Sequence, residues 1–149
     1  MNFGGDIMLR SFRQAVILGC ALPFAAEAFA QAPATSPRTE FIIFFDWAKP
    51  EVNRDAAEIL DKVAVEYAAR AGSKLLLSGH SDRSGPAGAN LRASRKRAEA
   101  ARDYLAAHGV PGGAMTVQAY GEQQPIVPTE DGVREVQNRR VEIRFVPAD

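Results

Sequence analysis

The sequence predicts an α/β domain of the α+β sandwich type, in which one mixed sheet carries two packed helices in the order βαβαββ. Three observations predict it. Short apolar runs of strand length alternate with two longer stretches of helical periodicity. The last two strand-like runs follow one another with only a loop between them. No internal repeat interrupts this order, so we expect one sheet with both helices packed on it.

The composition limits the classes of protein that the chain can belong to. Its 149 residues include 18 Lys and Arg against 18 Asp and Glu, with one cysteine and two histidines. This length suits one domain with a core of its own, and the composition excludes a disordered, collagen-like or coiled-coil chain. Zero net charge argues against a nucleic-acid partner, because such domains usually carry a basic excess. So few cysteines and histidines predict no disulfide, no metal site and no cofactor.

Residues 1–30 have the features of a signal peptide, which would direct the chain to the periplasm. Arg10 and Arg13 precede an apolar run over 15–26 that is shorter than the roughly 20 residues needed to span a membrane. The segment ends in Ala28-Phe29-Ala30, so we expect cleavage after Ala30; an N-terminal core helix is the alternative. Cleavage would remove two arginines and two acidic residues, which leaves 16 of each charge.

Cys20 offers a second processing route. A lipoprotein signal places its cysteine after a small residue, and Gly19 precedes Cys20. However, Leu18 is large for the next position back, and only six residues separate Arg13 from Cys20. Lipidation at Cys20, with attachment to the outer membrane, is therefore the alternative to cleavage after Ala30.

The first half of the mature chain predicts a leader, a strand and a helix. Residues 31–39 are rich in Pro, Ala, Ser and Thr and indicate a flexible leader. The apolar run in 40–45 predicts a strand that is buried on both faces. A helix follows from an N-cap at Asn53 to a stop at Gly72. Its apolar stripe consists of Ala56, Leu60, Val63, Ala64 and Tyr67.

The second half predicts a second helix and three more strands. The expected elements are a strand at 74–77, a Gly-rich loop at 83–89, a helix at 90–108, a strand at 115–120, a polar loop at 121–137 and a strand at 141–146. The helix begins near Asn90 and is ended by Gly109. Small residues dominate its inner stripe, so it should approach the sheet closely; the stripe comprises Leu91, Ser94, Ala98, Ala101 and Leu105.

The segment Ser78–Asp82 contains a serine, a histidine and an aspartate, which invites comparison with a hydrolase. Neighbours on an extended segment point to alternate sides, so these side chains cannot converge as a catalytic triad does. Arg83 also stands where a glycine would close a nucleophile elbow. We therefore expect a protein that is not an enzyme, in which His80 is a buried, hydrogen-bonded ring.

The spacing of Asp82, Asn90 and Arg97 predicts a polar groove. Asn90 and Arg97 are seven residues apart, so they share one stripe of the helix over about 10 Å. A carboxylate and a guanidinium in one cleft suit a zwitterion, with Asp82 binding an ammonium and Arg97 a carboxylate. An internal Asp82–Arg97 salt bridge is the alternative. The neighbouring cations are expected to form a solvated helix face: Arg92, Arg95 and Lys96.

Alternation in the last strand places Arg139 on the same face as Val141 and Ile143, and Arg140 on the opposite face with Glu142. Arg139 is therefore expected to be partly buried, where an unpaired charge is costly. It needs a carboxylate partner, and the sequence does not decide between a protein group and a ligand.

Together these residues resemble the OmpA-like C-terminal domain, which is also found in peptidoglycan-associated lipoproteins and flagellar motor stators. The resemblance spans Phe41 to Phe145 and marks residues 40–149 as an OmpA-like peptidoglycan-binding domain. It rests on Phe44-Phe45-Asp46, on Ser78-Gly79-His80-Ser81-Asp82 with Gly85, on Asn90, Ser94, Arg97 and Ala98, on Tyr120-Gly121 with Pro125, and on Asn138-Arg139-Arg140-Val141-Glu142-Ile143.

The resemblance implies non-covalent binding of peptidoglycan through the diaminopimelate of its stem peptide. By position in the family's motif, Asp82 and Arg97 would grip this residue. The other implied pocket residues are Asn90, Asp46, Trp47 and, as a pocket-side candidate, Arg139. The implied protein anchors or links the envelope to the cell wall. The alternative is an envelope adaptor that keeps the fold but docks other envelope proteins, through the face of Arg92, Arg95 and Lys96 or the loop at 121–137.

Overall fold

The computed structural model describes residues 40–70 and 72–147. The elements there are β1 Glu40–Phe44, α1 Arg54–Ala69, β2 Lys74–His80, α2 Ala87–Ala107, β3 Met115–Gly121 and β4 Arg140–Val146, with short 3-10 helices at Gly112–Ala114 and Val136–Asn138. The predicted order of strands and helices is therefore confirmed. The predicted signal peptide with cleavage after Ala30, the alternative lipidation at Cys20 and the leader at 31–39 lie outside the described residues.

The four strands form one mixed sheet in the order β1-β4-β2-β3. β4 runs antiparallel to both of its neighbours, whereas β2 and β3 run parallel and are connected by α2. This arrangement confirms the predicted fold class, an α+β sandwich with two helices on a mixed sheet. It also brings the C-terminal ends of β1, β2 and β3 and the start of β4 to the same end of the sheet.

β1 differs from its prediction in one respect. The apolar run predicted a strand buried on both faces, but β1 lies at the edge of the sheet and only one of its faces is covered. Ile43 and Phe45 belong to the core, whereas Phe44 between them is 41% exposed. Apolar side chains on both faces of a short run therefore do not distinguish an edge strand from a central one.

Both helices pack on the same face of the sheet, and the hydrophobic core lies between the helices and the sheet. In α1, the Asn53 side chain caps the helix as predicted, because its Oδ1 accepts a hydrogen bond from the Ala56 N–H at 2.9 Å. None of the helices in the described part of the chain is long and apolar enough to cross a membrane. The core comprises Ile43, Phe45, Ala56, Leu60, Val63, Leu75, Leu77, Ala98, Ala101, Leu105, Val110, Met115, Val141, Ile143 and Phe145.

α2 begins at Ala87, three residues before the predicted start at Asn90. Pro86 is the N-cap, with φ −60° and ψ 142°, and the ring of a proline fixes φ near this value. Asn90 therefore lies within the helix, where α2 holds its side chain against the preceding loop. The glycines around Pro86 predict a loop there, although proline is a common residue at a helix start.

The inward face of α2 also differs from the prediction at two positions. Leu91 is 43% exposed, whereas Arg97 is buried. The helix lies so close to β2 that a Cβ atom at Gly79 would come within 2.1 Å of the Ser94 carbonyl oxygen. Only glycine fits there, and this close approach places Arg97 beside the end of β2.

Candidate ligand-binding site

The predicted site residues lie at the end of the sheet where β1 and β2 end and β4 begins. Three segments converge there: the turn after β1, the loop after β2 and the segment before β4. The β1 and β4 segments are joined directly, because the Phe45 N–H donates to the Arg139 carbonyl oxygen at 2.9 Å. The convergence follows from the strand order, since β4 lies between β1 and β2.

The Asp82 carboxylate joins two of these segments. Its Oδ1 accepts from the Ser84 hydroxyl at 2.6 Å and from the Ser84 N–H at 3.4 Å. Its Oδ2 accepts from Arg139 Nη1 at 2.8 Å and from the Glu135 N–H at 3.2 Å. Burial to 2% exposure would raise the pKa of Asp82, but the hydrogen bonds from Ser84, Arg139 and Glu135 outweigh it and hold the pKa below its ordinary value. Asp82 is therefore ionised at neutral pH.

Arg139 is buried, as the strand alternation predicts, and its carboxylate partner is Asp82. Arg139 Nε also donates to the Phe45 carbonyl oxygen at 3.1 Å, so one guanidinium connects the end of β1 to the loop after β2. The alternative of an internal Asp82–Arg97 salt bridge is wrong, because within the described residues the arginine paired with Asp82 is Arg139.

Arg97 is as deeply buried as Asp82 but has no acidic partner. It is 3% exposed, and its Nη1 donates to the His80 carbonyl oxygen and to Ser81 Oγ, both at 3.3 Å. Its Nε has no hydrogen-bond partner within 40–70 and 72–147. Burial lowers the pKa of Arg97, while the charge of Asp82 raises it and that of Arg139 lowers it. Arg97 is thus a desolvated cation held by two neutral oxygens.

Asn90 lies next to Arg97, and the Ser81 hydroxyl connects the two side chains. Ser81 Oγ accepts from Arg97 and donates to Asn90 Oδ1 at 3.4 Å. Asn90 Nδ2 donates to the Gly85 carbonyl oxygen at 2.9 Å and to the Glu122 carboxylate. Ser81 thus joins Asn90 to Arg97, and Asp82, the residue after Ser81, lies close enough for its charge to act on Arg97.

Asp46 and Trp47 form the turn that follows β1. Asp46 is exposed, and its carboxylate has no partner in the described part of the chain. Trp47 is 46% exposed, and its Nε1 donates to Ser84 Oγ at 3.2 Å. Ser84 in turn donates to Asp82, so a chain of two hydrogen bonds links the Trp47 indole to the Asp82 carboxylate. The turn contains Ala48 at φ 57°, a left-handed conformation that is uncommon for a residue other than glycine.

Sequence reasoning missed three residues at this end of the sheet: Ser84, Arg134 and Glu135. The Arg134 guanidinium lies 3.6 Å from the centroid of the Trp47 ring, in cation–π geometry. The Glu135 N–H donates to Asp82. No local pattern marks these residues, because their roles depend on where the long loop before β4 crosses the other two segments.

The Asn138 side chain fixes the end of that long loop. Its Oδ1 accepts from the Ile126 N–H at 2.8 Å and from the Val127 N–H at 3.0 Å. Its Nδ2 donates to the Val127 carbonyl oxygen at 2.7 Å. A buried amide with backbone partners on both of its polar atoms holds the loop against the start of β4, and so helps to position Arg139.

His80 lies on the other face of the sheet. Its neighbour Gly79 faces α2, so alternation along β2 directs the His80 ring away from the helices. The ring is buried and stacks on Tyr120 with centroids 5.2 Å apart, and its Nε2 lies 3.7 Å from Glu142 Oε1. The expectation of a hydrogen-bonded ring is wrong, since neither ring nitrogen has a hydrogen-bond partner among the described residues. Burial and the charge of Arg140 lower the pKa of His80 to about 4. No cluster of His, Cys, Asp or Glu suited to a metal ion occurs in the described residues.

These features define a small α+β domain with a cluster of buried charged side chains at the end of its sheet where β1 and β2 end and β4 begins. The chain belongs to the OmpA family, since the sequence model of that family matches residues 44–139. Solved structures agree with this fold. The peptidoglycan-associated lipoprotein of Burkholderia pseudomallei superposes with a TM-score of 0.66 at 27% identity, covering 70% of this chain and 89% of that one. The periplasmic domain of Helicobacter pylori MotB, at 18% identity, has a TM-score of 0.63 over 75% of each chain.

Curated relatives are similar over most of the described domain. An outer membrane protein of Gluconacetobacter diazotrophicus is 38% identical over 116 residues, which is 74% of this chain and 31% of that protein. The peptidoglycan-associated lipoprotein of Rhizobium meliloti is 37% identical over 98 residues, or 66% of this chain and 56% of the lipoprotein. That of Haemophilus influenzae is 30% identical, covering 69% of this chain and 67% of its own length. The chain thus spans well under two thirds of the first two relatives.

Proposed function

We propose that this chain is an exported envelope protein that binds peptidoglycan non-covalently through the diaminopimelate of the stem peptide and so anchors or links the envelope to the cell wall. Family membership and relatives named peptidoglycan-associated lipoproteins support this proposal. The protein would act in the periplasm after cleavage behind Ala30, or from the outer membrane if it is lipidated at Cys20. It would act by binding alone, without catalysis and without a cofactor.

The observation that carries the proposal is the unmatched charge of Arg97. A buried guanidinium normally has a carboxylate partner, because desolvating a lone cation is costly. Asp82, the nearest candidate, is bonded to Arg139 and Ser84 instead. The free carboxylate of diaminopimelate would supply the missing partner, and Nε, which has no acceptor in the described chain, would donate to it.

Asp82 would act on the ammonium that diaminopimelate carries beside this carboxylate. The Asp82 oxygens already accept four hydrogen bonds, of which the 3.4 Å contact from the Ser84 N–H is the longest. An ammonium would replace that weakest contact, while Arg139 would hold the carboxylate in place. Asn90 and the exposed pair Asp46 and Trp47 would complete the polar wall of the pocket.

The test is co-sedimentation of the full chain with purified peptidoglycan sacculi. Arg97→Met should lower the affinity at least tenfold, because a charge-assisted contact contributes roughly 1.5–3 kcal/mol. Arg95→Gln is the matched control, since it removes an exposed cation from the same helix. Asp82→Asn should also weaken binding but disturbs the pair with Arg139, so Arg97→Met is the sharper variant. Undiminished retention of a folded Arg97→Met chain would contradict the proposal.

An envelope adaptor is the second candidate function. Three exposed apolar side chains on the long loop before β4 favour it: Ile126, Val133 and Val136. Exposed apolar side chains of this kind are better suited to contact with a protein than to contact with a polar cell-wall polymer. If the wild-type chain fails to sediment with sacculi, this candidate replaces peptidoglycan binding.

A further inference from the structure

A cavity of about 240 Å³ lies between the turn after β1 and the outer side of α2. The turn contributes Ala48, Lys49 and Pro50, and the helix contributes Ala89, Arg92, Ala93, Lys96 and Arg97. The small side chains at positions 89 and 93 leave this space open on the helix side. The spacing of four and three residues places Ala89, Ala93 and Lys96 along one stripe of α2.

The walls of this cavity carry four cations and no acid. Three of these cations form no ion pair in the described part of the chain, although their side chains are exposed: Lys49, Arg92 and Lys96. By contrast, Arg54, Arg102 and Arg144 on the surface each pair with a neighbouring acid. Like charges collected around one concave space raise the local concentration of anions. The cavity is therefore built to attract negative charge.

Arg97 connects this cavity to the proposed diaminopimelate site. It is part of the cavity lining, it is 97% buried, and its Nε lacks an acceptor in 40–70 and 72–147. The face of Arg92, Arg95 and Lys96, expected from the sequence to be simply solvated, is divided by the structure. Arg92 and Lys96 line the cavity together with Arg97, whereas Arg95 does not.

We propose that this basic cavity binds a second free carboxylate of the stem peptide, next to the diaminopimelate residue, so that the domain prefers stem peptides whose carboxylates are not amidated. The inference rests on the proposed function. Free diaminopimelate is neutral overall, with as many ammonium groups as carboxylates. Within a stem peptide it keeps one ammonium, and neighbouring residues add free carboxylates, so the peptide is net negative. Lys49, Arg92 and Lys96 match that negative charge, whereas Asp82 and Arg97 match only the zwitterionic end.

The test compares three ligands by calorimetric titration of the full chain: free meso-diaminopimelate, a disaccharide tetrapeptide with a free D-glutamate α-carboxylate, and the same tetrapeptide amidated there. The wild-type chain should bind the amidated tetrapeptide about threefold more weakly than the free acid. The variant Lys49→Gln/Arg92→Gln/Lys96→Gln should bind the free-acid tetrapeptide about tenfold more weakly, since each exposed ion pair contributes modestly. It should retain its affinity for free diaminopimelate, and Arg95→Gln should behave as wild type throughout.

A second variant separates charge from space. Ala93→Leu fills the cavity without changing any charge, and we expect it to weaken binding of the tetrapeptide but not of free diaminopimelate. Equal wild-type affinity for the free and amidated tetrapeptides, with no loss in the triple variant, would overturn the inference and leave diaminopimelate binding intact. If the wild-type chain binds neither diaminopimelate nor the tetrapeptides, the proposed function fails as well.

Discussion

Arg97 and Arg140 are both 3% exposed, and each has one guanidinium nitrogen without a hydrogen-bond partner in the described chain, but only Arg140 is paired with an acid. Arg140, on the open face of the sheet, makes two hydrogen bonds to Glu142 Oε1, from Nε at 2.8 Å and from Nη2 at 2.6 Å. Glu142 is held further by Arg144, which also pairs with Glu40. Arg97, which α2 places beside the end of β2, donates to two neutral oxygens at 3.3 Å and has no acidic hydrogen-bond partner.

This difference distinguishes a structural arginine from one available to a ligand. Burial alone would raise the pKa of Glu142, but its hydrogen bonds and charge interaction with Arg140 lower it, so this pair compensates its own desolvation. For Arg97 the described chain provides no hydrogen-bonded acid, and the charge of Asp82, which acts on it from nearby, is already paired with Arg139. Burial without an acidic partner, rather than burial itself, is therefore the feature on which we propose Arg97 as the ligand-binding arginine.

The largest expected effect is on stability. Arg140→Met should lower the free energy of unfolding by about 3 kcal/mol, because it removes the arginine bonded to the partly buried Glu142 and leaves Arg144 and the His80 ring as the neighbours of that carboxylate. Arg97→Met should change it by about 1 kcal/mol or less, since it removes a desolvated cation and two long hydrogen bonds to neutral oxygens. Urea unfolding of both variants at neutral pH measures the difference. Equal losses would show that Arg97 is as structural as Arg140.

The second effect is a pH dependence that originates beside Arg140. His80 faces Arg140, Glu142, Arg144 and Tyr120. Its pKa is about 4 in the folded chain, against 6.5 ordinarily, so the unfolded chain binds the proton first as the pH falls. Stability should therefore be lost as the pH falls through about 6.5, by roughly 2 to 3 kcal/mol at pH 4.5. The lost stability should return in His80→Phe, which does not titrate.

The measurement is urea unfolding of wild type and His80→Phe at several pH values between 7.5 and 4.5. Subtracting the two curves removes the contributions of the groups that His80 does not affect. A difference that does not change with pH across this window would contradict the lowered pKa of His80. Below pH 4.5 the protonation of Asp82 and Glu142, whose pKa values are lowered in the folded chain, should destabilise both chains.

Much of the fold follows from local sequence patterns. The N-cap at Asn53, the stripe of α1 and the alternation in β4 each depend on residues close in the chain, and the structure confirms all three. The position of β1 at the edge does not follow, because strand order depends on pairing between distant segments. The start of α2 at Ala87 does not follow either, because the glycines around Pro86 predict a loop there.

The site was predictable in its membership but not in its pairing. Spacing predicts that Asp82, Asn90 and Arg97 lie together; in the structure Ser81 joins Asn90 to Arg97, and the charge of Asp82 acts on Arg97. The partner of Asp82, however, is Arg139, 57 residues away, and no local spacing indicates which of two arginines a carboxylate will take. The basic cavity depends in the same way on how the turn after β1 faces α2.

The most direct test of the central claim, that Arg97 binds the carboxylate of diaminopimelate, is a double-mutant cycle between protein and ligand. Lysine retains the side-chain ammonium of diaminopimelate but lacks the adjacent carboxylate. Wild type should bind a diaminopimelate-containing muropeptide at least tenfold more tightly than its lysine counterpart, and Arg97→Met should bind the two within about twofold. Wild-type indifference between the two muropeptides, or a preference that survives in the folded Arg97→Met chain, would contradict the claim.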